Sequence, residues 1–352
     1  MSVATDVINI LIVDDSMFVR RVISGFFKND DRIKVIDQAK DGKDAWEKVK
    51  KTKFDLVLCD FEMPVMNGED FLLAVKNDAS ITEKPPVIVF SSVTSKGSKA
   101  TVACLLAGAR DYIQKPSQEL DDLGEGTSVR DLLRQKIISI VENERSKKAK
   151  ILTQEQKQGP RKQVNLRNPG LVVIGCSTGG PAALEKVLLS IPANFRFPVL
   201  VVQHMPEHFT KIMAESLDKK VALNVVEVTE PTLMEKGKVY IAGGAEHMVL
   251  DEKGMLQMGG KQPRNFCVPS VDVLFESVAK NYNKSVLSVM LTGMGSDGKD
   301  GVKAMKDSID CFSIVQDQQS SVVWAMPKAV YEAGCSDLML HVDEIGRTIA
   351  NV

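Results

Sequence analysis

Short runs of aliphatic residues recur along the N-terminal third of the chain and alternate with segments that have helical spacing of apolar positions. The clearest runs lie at residues 10–13, 54–59 and 86–90. Runs of this length without polar alternation are typical of parallel strands that are buried on both faces. Helices are predicted between them at residues 17–28, 42–51, 68–77 and 99–107. The alternation of strand and helix predicts an α/β domain with a parallel sheet.

A second series of aliphatic runs begins near residue 170 and continues towards the C-terminus. It predicts strands at residues 170–175, 198–202, 225–228, 239–242, 285–291 and 311–315, with helices at 181–190, 271–281 and 298–307. Before it lie an amphipathic helix that starts at residue 129 and a stretch, 143–167, that is rich in Lys, Arg and Gln. We therefore predict two doubly wound parallel-sheet domains, a flavodoxin-like one over residues 8–127 and a Rossmann-like one over 166–352. A helical and basic linker is predicted over residues 128–165.

The composition narrows the classes of protein that the chain can belong to. Its 352 residues allow two domains, and the net charge of −1 argues against a dedicated nucleic-acid binder. The basic stretch could alternatively be a nucleic-acid tail, but it has no interleaved aromatic residues. The six cysteines form no CxxC pair, which is typical of buried free thiols in a reducing cytosol. With no signal peptide and no apolar run of about 20 residues, we expect a cytoplasmic protein without membrane insertion.

Acidic residues follow two of the predicted N-terminal strands. Asp14 and Asp15 close the first run, and Asp60 follows the run at 54–59. Because parallel strands end at one edge of the sheet, the three carboxylates are expected to converge there. Carboxylate oxygens suit Mg²⁺, and the Glu62 carbonyl would complete its ligand set. The alternative is that Asp14-Asp15 is a polar turn, with one of the two acids near a helix N-cap.

Polar residues also follow the next two predicted strands. Ser91 ends the strand at 86–90, and Lys115 follows a short element at 111–114. Together with Asp60 as nucleophile they make up a phosphoryl-acceptor site, in which Lys115 neutralises the transferred oxygens and Ser91 donates to one of them. Over residues 8–127 this arrangement resembles the receiver domain of two-component response regulators. The resemblance implies that Ser91 and Tyr112 report phosphorylation of Asp60 to the neighbouring surface.

In the second series, a glycine-rich turn separates a strand from a helix. The segment Gly175-Cys176-Ser177-Thr178-Gly179 fits the Gly-x-Ser-x-Gly pattern, in which glycines permit a sharp turn that raises the serine above the sheet. A phosphate cradle is the alternative, but Gly-Lys-Ser/Thr and an acidic ribose partner are missing. The pattern indicates that Ser177 is a nucleophile.

The base for Ser177 must come from one of four histidines. His204 follows the strand at 198–202, which places it level with Ser177, and it is our candidate. We expect His208 to be exposed, His247 to line the cleft or occupy a turn, and His341 to be a core residue.

The acid that orients this histidine is predicted to be Asp297, because it follows the strand at 285–291. Its alternative role is a helix N-cap, for which Asp300 competes. The chain order Ser177, His204, Asp297 disfavours the common lipase–esterase fold, whose acid precedes its histidine.

Several motifs together resemble the CheB chemotaxis methylesterases, in which a linker joins a receiver to a serine hydrolase domain. They are GCSTGG at 175–180, QHMP at 203–206, PSVD at 269–272, LTGMGSDG at 291–298 and VVW at 322–324. The family's catalytic triad falls on Ser177, His204 and Asp297. Cys267 and Val268 depart from the basic pattern that precedes PSVD in the family.

The resemblance implies hydrolysis of glutamate γ-methyl esters, and deamidation of glutamines, on chemoreceptors. Backbone N–H groups of Thr178 and Met294 are the candidates for oxyanion binding. The esterase reaction would need no cofactor, and a chemotaxis histidine kinase of the CheA type would phosphorylate Asp60. The rival functions are a DNA-binding regulator, which lacks a helix-turn-helix here, and a catalytically silent receptor adaptor.

Overall fold

A computed structural model describes residues 7–91, 95–115, 128–153 and 169–352, without the side chains of residues 91, 95–96 and 150–153. The chain divides into two compact units, residues 1–145 and 146–352. None of the helices within the described ranges combines the length and apolar character that crossing a membrane requires.

The first unit is built on five parallel strands: β1 (Ile8–Val13), β2 (Ile33–Ala39), β3 (Leu56–Asp60), β4 (Val87–Ser91) and β5 (Asp111–Gln114). They form a sheet in the order β2-β1-β3-β4-β5, which confirms the flavodoxin-like prediction. β3 is buried along its whole length, as its aliphatic run predicts. β2 lies at an edge, where exposed residues alternate with half-buried ones between two buried ends, and it was not predicted from the sequence.

Within the described residues, five helices accompany this sheet: α1 (Met17–Phe26), α2 (Gly42–Lys51), α3 (Gly68–Asn77), α4 (Ser95–Ala107) and α5 (Val129–Thr153). Side chains of Asp41 and Asn67 cap α2 and α3, which begin and end at the predicted residues. α1 is capped by Ser16, so neither Asp14 nor Asp15 is its N-cap. The two acids remain available for another role.

α5 packs on the first unit through ion pairs. Arg134 Nε lies 2.6 Å from Asp30 Oδ2, and Lys136 Nζ lies 2.8 Å from Asp111 Oδ2. The helix was assigned to the linker from the sequence, yet its residues up to Arg145 belong to the first unit. The basic stretch predicted over 143–167 begins within α5, up to residue 153, and its remainder, residues 154–167, lies outside the described residues. The domain boundaries stay a prediction.

The second unit has a parallel seven-stranded sheet and a small antiparallel one. Its strands are β6 (Leu171–Cys176), β7 (Val199–Gln203), β8 (Asn224–Val228), β9 (Thr232–Leu233), β10 (Lys238–Ala242), β11 (Met248–Leu250), β12 (Met255–Met258), β13 (Val286–Met290), β14 (Cys311–Gln316) and β15 (Leu338–Leu340). The large sheet has the order β15-β14-β13-β6-β7-β10-β8, and the small one has the order β11-β12-β9.

Six helices lie in the part of the second unit described from residue 169 onwards: α6 (Gly180–Leu189), α7 (Glu207–Asp218), α8 (Val271–Asn281), α9 (Lys299–Ser308), α10 (Ala325–Glu332) and α11 (Val342–Ala350). Every residue of β6, β7 and β13 is buried, so the three central strands form the core of the unit. The sheet extends in both directions from β6. Loops after β6, β7 and β13 therefore meet at one edge, where open α/β sheets bind ligands.

Candidate functional site

The turn after β6 presents Ser177. Its N–H donates to the Thr292 carbonyl (3.0 Å), and its carbonyl accepts from Gly180 N–H (2.7 Å), where α6 begins. Gly179 has a φ of 76°, and a Cβ there would lie 2.4 Å from Val322 Cγ2. Glycine is therefore required both by the left-handed backbone conformation and by the lack of space for a side chain. Ser177 itself is half-buried. These contacts form the sharp strand-to-helix turn that the Gly-x-Ser-x-Gly pattern predicts.

Gln203 ties this turn to the neighbouring strand. Its side chain is buried, and Nε2 donates to the carbonyls of Ser177 (3.0 Å) and His204 (3.1 Å). In addition, His204 N–H donates to the Cys176 carbonyl (3.0 Å). No role was predicted for Gln203. Its position as a polar residue at the end of an aliphatic run could have indicated that it lies at the ligand-binding edge of the sheet. Its contacts fix the backbones of Ser177 and His204 side by side.

His204 and Asp297 form the second link of the predicted relay. His204 Nε2 lies 2.7 Å from Asp297 Oδ2, which leaves Nδ1 as the nitrogen that is free of the carboxylate. Nδ1 lies 3.6 Å from Cys267 Sγ. Among the described residues, the Ser177 hydroxyl makes no hydrogen bond to His204. The structure therefore joins two of the three predicted catalytic side chains and places the third on the adjacent turn.

Asp297 is buried at the start of α8 and is held by several donors. Besides His204, four groups donate to its carboxylate: Asn265 Nδ2 (3.0 Å), Ser270 Oγ (2.8 Å), Val271 N–H (2.7 Å) and Asp272 N–H (3.2 Å). The alternative role, the N-cap of α9, belongs to Gly298. Asp297 instead accepts from the first N–H groups of α8, where a negative charge is favourable.

A tight turn carries Cys267 to His204. Arg264 and Cys267 exchange backbone hydrogen bonds of 3.2 and 2.9 Å, and the residues between them, Asn265 and Phe266, have φ values of 54° and 62°. Two left-handed residues in succession are the pattern of a type I′ turn. Cys267 departs from the sequence pattern of the family, and its side chain lies beside His204, the predicted base.

In the first unit, two of the predicted acids converge on Lys115. Its Nζ lies 3.1 Å from Asp14 Oδ2 and 2.7 Å from Asp60 Oδ2. Both oxygens are buried, and neither accepts a well-aligned hydrogen bond within the described ranges, so they contact Lys115 as an ion pair. Asp15 is exposed, but its carboxylate lies within 4.8 Å of those of Asp14 and Asp60. Three carboxylates clustered in this way fit a hard cation such as Mg²⁺.

Comparison with known proteins assigns both units. The model of the CheB methylesterase family matches residues 172–349, and that of the response regulator receiver domain matches residues 10–125. The protein-glutamate methylesterase/protein-glutamine glutaminase of Clostridium acetobutylicum is 37% identical over 98% of this chain and 97% of its own length. The chain belongs to the CheB family.

A second relative agrees with this assignment. The Geobacillus kaustophilus protein of the same name is 36% identical over 98% of both chains. Among solved structures, the catalytic domain of Thermotoga maritima CheB methylesterase is 36% identical, with a TM-score of 0.49, and covers 52% of this chain and 98% of that one.

Asp297 and His204 in this CheB-family chain have strongly shifted pKa values. Burial raises the pKa of Asp297, but hydrogen bonds from His204, Asn265 and Ser270 outweigh it and hold that pKa well below its usual range. Burial lowers the pKa of His204, but its hydrogen bonds to Asp297 and Cys267 outweigh that effect and raise it to about 9. Asp297 is thus an anion that stabilises the imidazolium.

In the first unit, burial and neighbouring charges shift the pKa values of Asp60 and Lys115. Burial raises the pKa of Asp60 to about 6, although Lys115 opposes the change. Burial lowers the pKa of Lys115, but Asp60 and Asp14 outweigh it, so the net shift is upwards. The buried Asp60 carboxylate therefore lies beside the positive charge of Lys115.

Of the remaining receiver candidates, the structure gives contacts for Tyr112 and Glu62. Tyr112 is on β5, where its carbonyl accepts from Lys136 Nζ (3.0 Å) and its ring lies 5.4 Å from the same nitrogen. A hydrogen bond from the Glu62 backbone to the Asp60 carboxylate lowers the pKa of Asp60 slightly. The side chain of Ser91 lies outside the described residues.

One oxyanion candidate, Thr178, follows Ser177 in the chain, and the other, Met294, lies on a loop that approaches Ser177. Thr178 is buried, and its carbonyl accepts from Thr292 Oγ1 (2.9 Å). Met294 follows Gly293, where a Cβ would lie 2.8 Å from Ser177 Cβ. The loops that carry the two proposed donors therefore both approach the nucleophile.

The other histidines have structural roles. His208 is exposed, as predicted. His247 is buried, accepts from Ser270 N–H (3.0 Å) through Nδ1, and donates to the Gln262 carbonyl (2.7 Å) through Nε2. It thereby anchors both ends of the segment that carries Cys267. The core role predicted for His341 is wrong, because His341 is the partly exposed N-cap of α11.

Proposed function

We propose that the second unit hydrolyses glutamate γ-methyl esters of chemoreceptors and deamidates particular receptor glutamines. The relatives named protein-glutamate methylesterase/protein-glutamine glutaminase support this substrate class. The observation that carries the chemistry is the hydrogen bond between His204 and Asp297, at the tip of the strand next to Ser177. This bond fixes an imidazole in one tautomer beside a candidate nucleophile.

In the proposed reaction, Ser177 Oγ attacks the γ-carbonyl carbon of the receptor side chain. His204 takes the serine proton through Nδ1, because its Nε2–H is committed to Asp297. The tetrahedral intermediate then collapses, and methanol or ammonia leaves with the proton from His204. Water hydrolyses the glutamyl ester on Ser177 by the same route and restores the free hydroxyl. Esters and primary amides react alike because only the leaving group differs.

The negative oxygen of the tetrahedral intermediate would be bound by the backbone N–H groups of Thr178 and Met294. The approach of the Gly293 loop to Ser177 supports this assignment. Loss of one such donor typically costs ~3 kcal/mol of transition-state stabilisation. The positive end of α6, which begins at Gly180, would add to the stabilisation of this charge.

The first unit is proposed to regulate this reaction through phosphorylation of Asp60 by a chemotaxis histidine kinase of the CheA type. Asp14, Asp15, Asp60 and the Glu62 carbonyl would hold Mg²⁺, which neutralises the oxygens of an incoming phosphoryl group. Lys115 keeps a positive charge beside Asp60, and Ser91 with Tyr112 would report the modification. A chemotaxis histidine kinase as phosphodonor and chemoreceptors as substrates imply that the protein acts in the cytoplasm.

Methanol release from methylated receptor membranes tests the esterase, and ammonia release tests the deamidase. We expect Ser177→Ala to reduce both rates to the uncatalysed level. Ser216→Ala is the matched control, because Ser216 donates to the Ile212 carbonyl within α7 and should keep the wild-type rate. A Ser177→Ala protein with wild-type rates would exclude the proposed nucleophile. For regulation, Asp60→Asn should give equal rates with and without a small phosphodonor.

A further inference from the structure

Three side chains with metal-binding atoms converge in the hydrolase unit. The ligand atoms of Cys267, His204 and Asp297 all lie within 4.8 Å of one another. Cys267 Sγ lies 3.6 Å from His204 Nδ1, and His204 Nε2 lies 2.7 Å from Asp297 Oδ2. The proposed esterase chemistry uses the histidine and the aspartate but gives the thiol no role.

The spacing of sulfur and nitrogen fits a tetrahedral ion. Zinc lies at about 2.3 Å from a thiolate sulfur and roughly 2.0–2.1 Å from an imidazole nitrogen, so a tetrahedral angle separates these two ligands by about 3.6 Å. Sγ of Cys267 and Nδ1 of His204 already have this separation of 3.6 Å. An ion could bind both atoms without a large movement of either side chain.

Both ligands are held in place by the same network. The hydrogen bond from His204 Nε2 to Asp297 leaves Nδ1 facing the thiol, which is the usual way in which a carboxylate orients a metal-binding histidine. Asn265 donates to Asp297 (3.0 Å) and to Asp272 (2.7 Å), and it lies in the turn that presents Cys267. Asp297 therefore fixes one ligand directly and the other through Asn265.

The position is open to solvent. Cys267 is half-buried, whereas Cys59, Cys104, Cys176, Cys311 and Cys335 are buried. The His204 side chain keeps 13% of its surface exposed. An ion from solution can therefore reach the pair without unfolding of the core.

We propose that Cys267 and His204 bind a thiophilic divalent cation, with Zn²⁺ the best fit, and that the bound ion inhibits the hydrolase. Binding forms Zn–S and Zn–N bonds and releases two protons to solvent, one from the Cys267 thiol and one from Nδ1 of the His204 imidazolium. The ion occupies Nδ1, the atom that would accept the Ser177 proton. Because the protein supplies two ligands and water fills the remaining positions, a chelator should reverse the inhibition. Mg²⁺ should not bind here, because it prefers oxygen ligands such as those of the receiver acids.

Cobalt provides a readout that does not depend on enzyme activity. The full chain with saturating Mg²⁺ is titrated with Co²⁺, and near-ultraviolet absorption reports sulfur-to-cobalt charge transfer. We expect a band that saturates at one ion per chain, that Zn²⁺ abolishes, and that is absent from Cys267→Ser and Cys267→Ala. Cys335→Ser is the matched control and should retain the band. Absence of the band from the wild type, or its persistence in both Cys267 variants, would overturn the proposal.

The inhibition itself rests on the proposed esterase function. Methanol release is measured against Zn²⁺ concentration, with each variant compared with its own rate in chelator. We expect the Zn²⁺ concentration for half-inhibition to rise at least tenfold in Cys267→Ser and to stay unchanged in Cys335→Ser. Equal sensitivity of both variants would refute the inhibitory role. A wild-type chain without esterase activity would refute the proposed function alone, because the cobalt band would still decide whether the ion binds.

Discussion

Replacing Asp297 with Asn tests how its carboxylate supports both His204 and the start of α8. The carboxylate accepts from His204 and Val271 through Oδ2 and from three other donors through Oδ1. An amide has one acceptor oxygen and is expected to place it at the Oδ1 position, where more donors point. The NH₂ group would then face His204 Nε2 and the Val271 N–H.

This exchange has two consequences whose sizes differ. The Val271 N–H, which is buried, loses its acceptor, and a buried unpaired donor costs ~1–3 kcal/mol. Loss of the negative charge at the start of α8 adds about 0.3–1 kcal/mol. The amide would also donate to His204 Nε2, so the ring proton moves to Nδ1 and the base is lost. A wrong tautomer lowers kcat by about 10⁴-fold in a comparable triad.

The two effects can be measured separately in the full chain. Methanol release gives kcat, and urea unfolding followed by Trp324 fluorescence in a Trp46→Phe background reports the second unit. We expect Asp297→Asn to lose about 10⁴-fold in kcat and ~1–4 kcal/mol in the free energy of unfolding. Asp251→Asn is the matched control, since Asp251 also accepts from two backbone N–H groups, those of Lys253 and Met255, and is not a hydrogen-bond partner of His204 or Asp297 within the described residues. A kcat within tenfold of wild type for Asp297→Asn would refute the relay.

Three further predictions concern burial and protonation. Thr292→Val should destabilise the second unit by ~2–6 kcal/mol in the same unfolding assay, because the buried hydroxyl accepts from the N–H groups of Val322 and Val323; Thr292→Ser keeps the hydroxyl and should lose about 1 kcal/mol. With the His204 pKa raised to about 9, kcat/KM should rise about tenfold per pH unit below that value and then level off, and a profile that levels at 6.5 would contradict this. Because the Asp60 pKa is raised to about 6, the carboxylate is protonated below that pH, and phosphorylation by a small phosphodonor, followed by mass spectrometry, should fall as pH drops below 6; a constant rate down to pH 4 would contradict it.

Buried parallel strands were predictable because their aliphatic runs report burial on both faces. The same runs located Ser177, His204 and Asp297, since a residue that follows a parallel strand lies at the ligand-binding edge of the sheet. The edge strand β2 was missed because half of its residues are exposed. β9, β11 and β12 have between two and four residues each, which is too short for a clear period.

The contacts around His204 could not be predicted from local patterns. Cys267 and Asn265 reach the site through a turn with two left-handed residues, and the sequence Asn-Phe gives little warning of that conformation. Asp297 was considered as an N-cap of the helix that follows it, but it accepts from the start of α8, which precedes it in the chain. His341 was assigned to the core from its apolar neighbours, whereas it caps α11 at the surface. The contacts of Asn265, Cys267 and Asp297 join residues that are distant in the chain, which local patterns do not report.

Covalent labelling with a fluorophosphonate tests most directly whether Ser177 is a nucleophile activated by His204. The full chain is labelled, digested and mapped by mass spectrometry, in parallel with His204→Ala and Cys267→Ala. We predict a single adduct on Ser177, strongly slowed in His204→Ala and retained in Cys267→Ala. An adduct on Cys267 with an unmodified Ser177, or labelling of Ser177 at the wild-type rate without the histidine, would contradict the account.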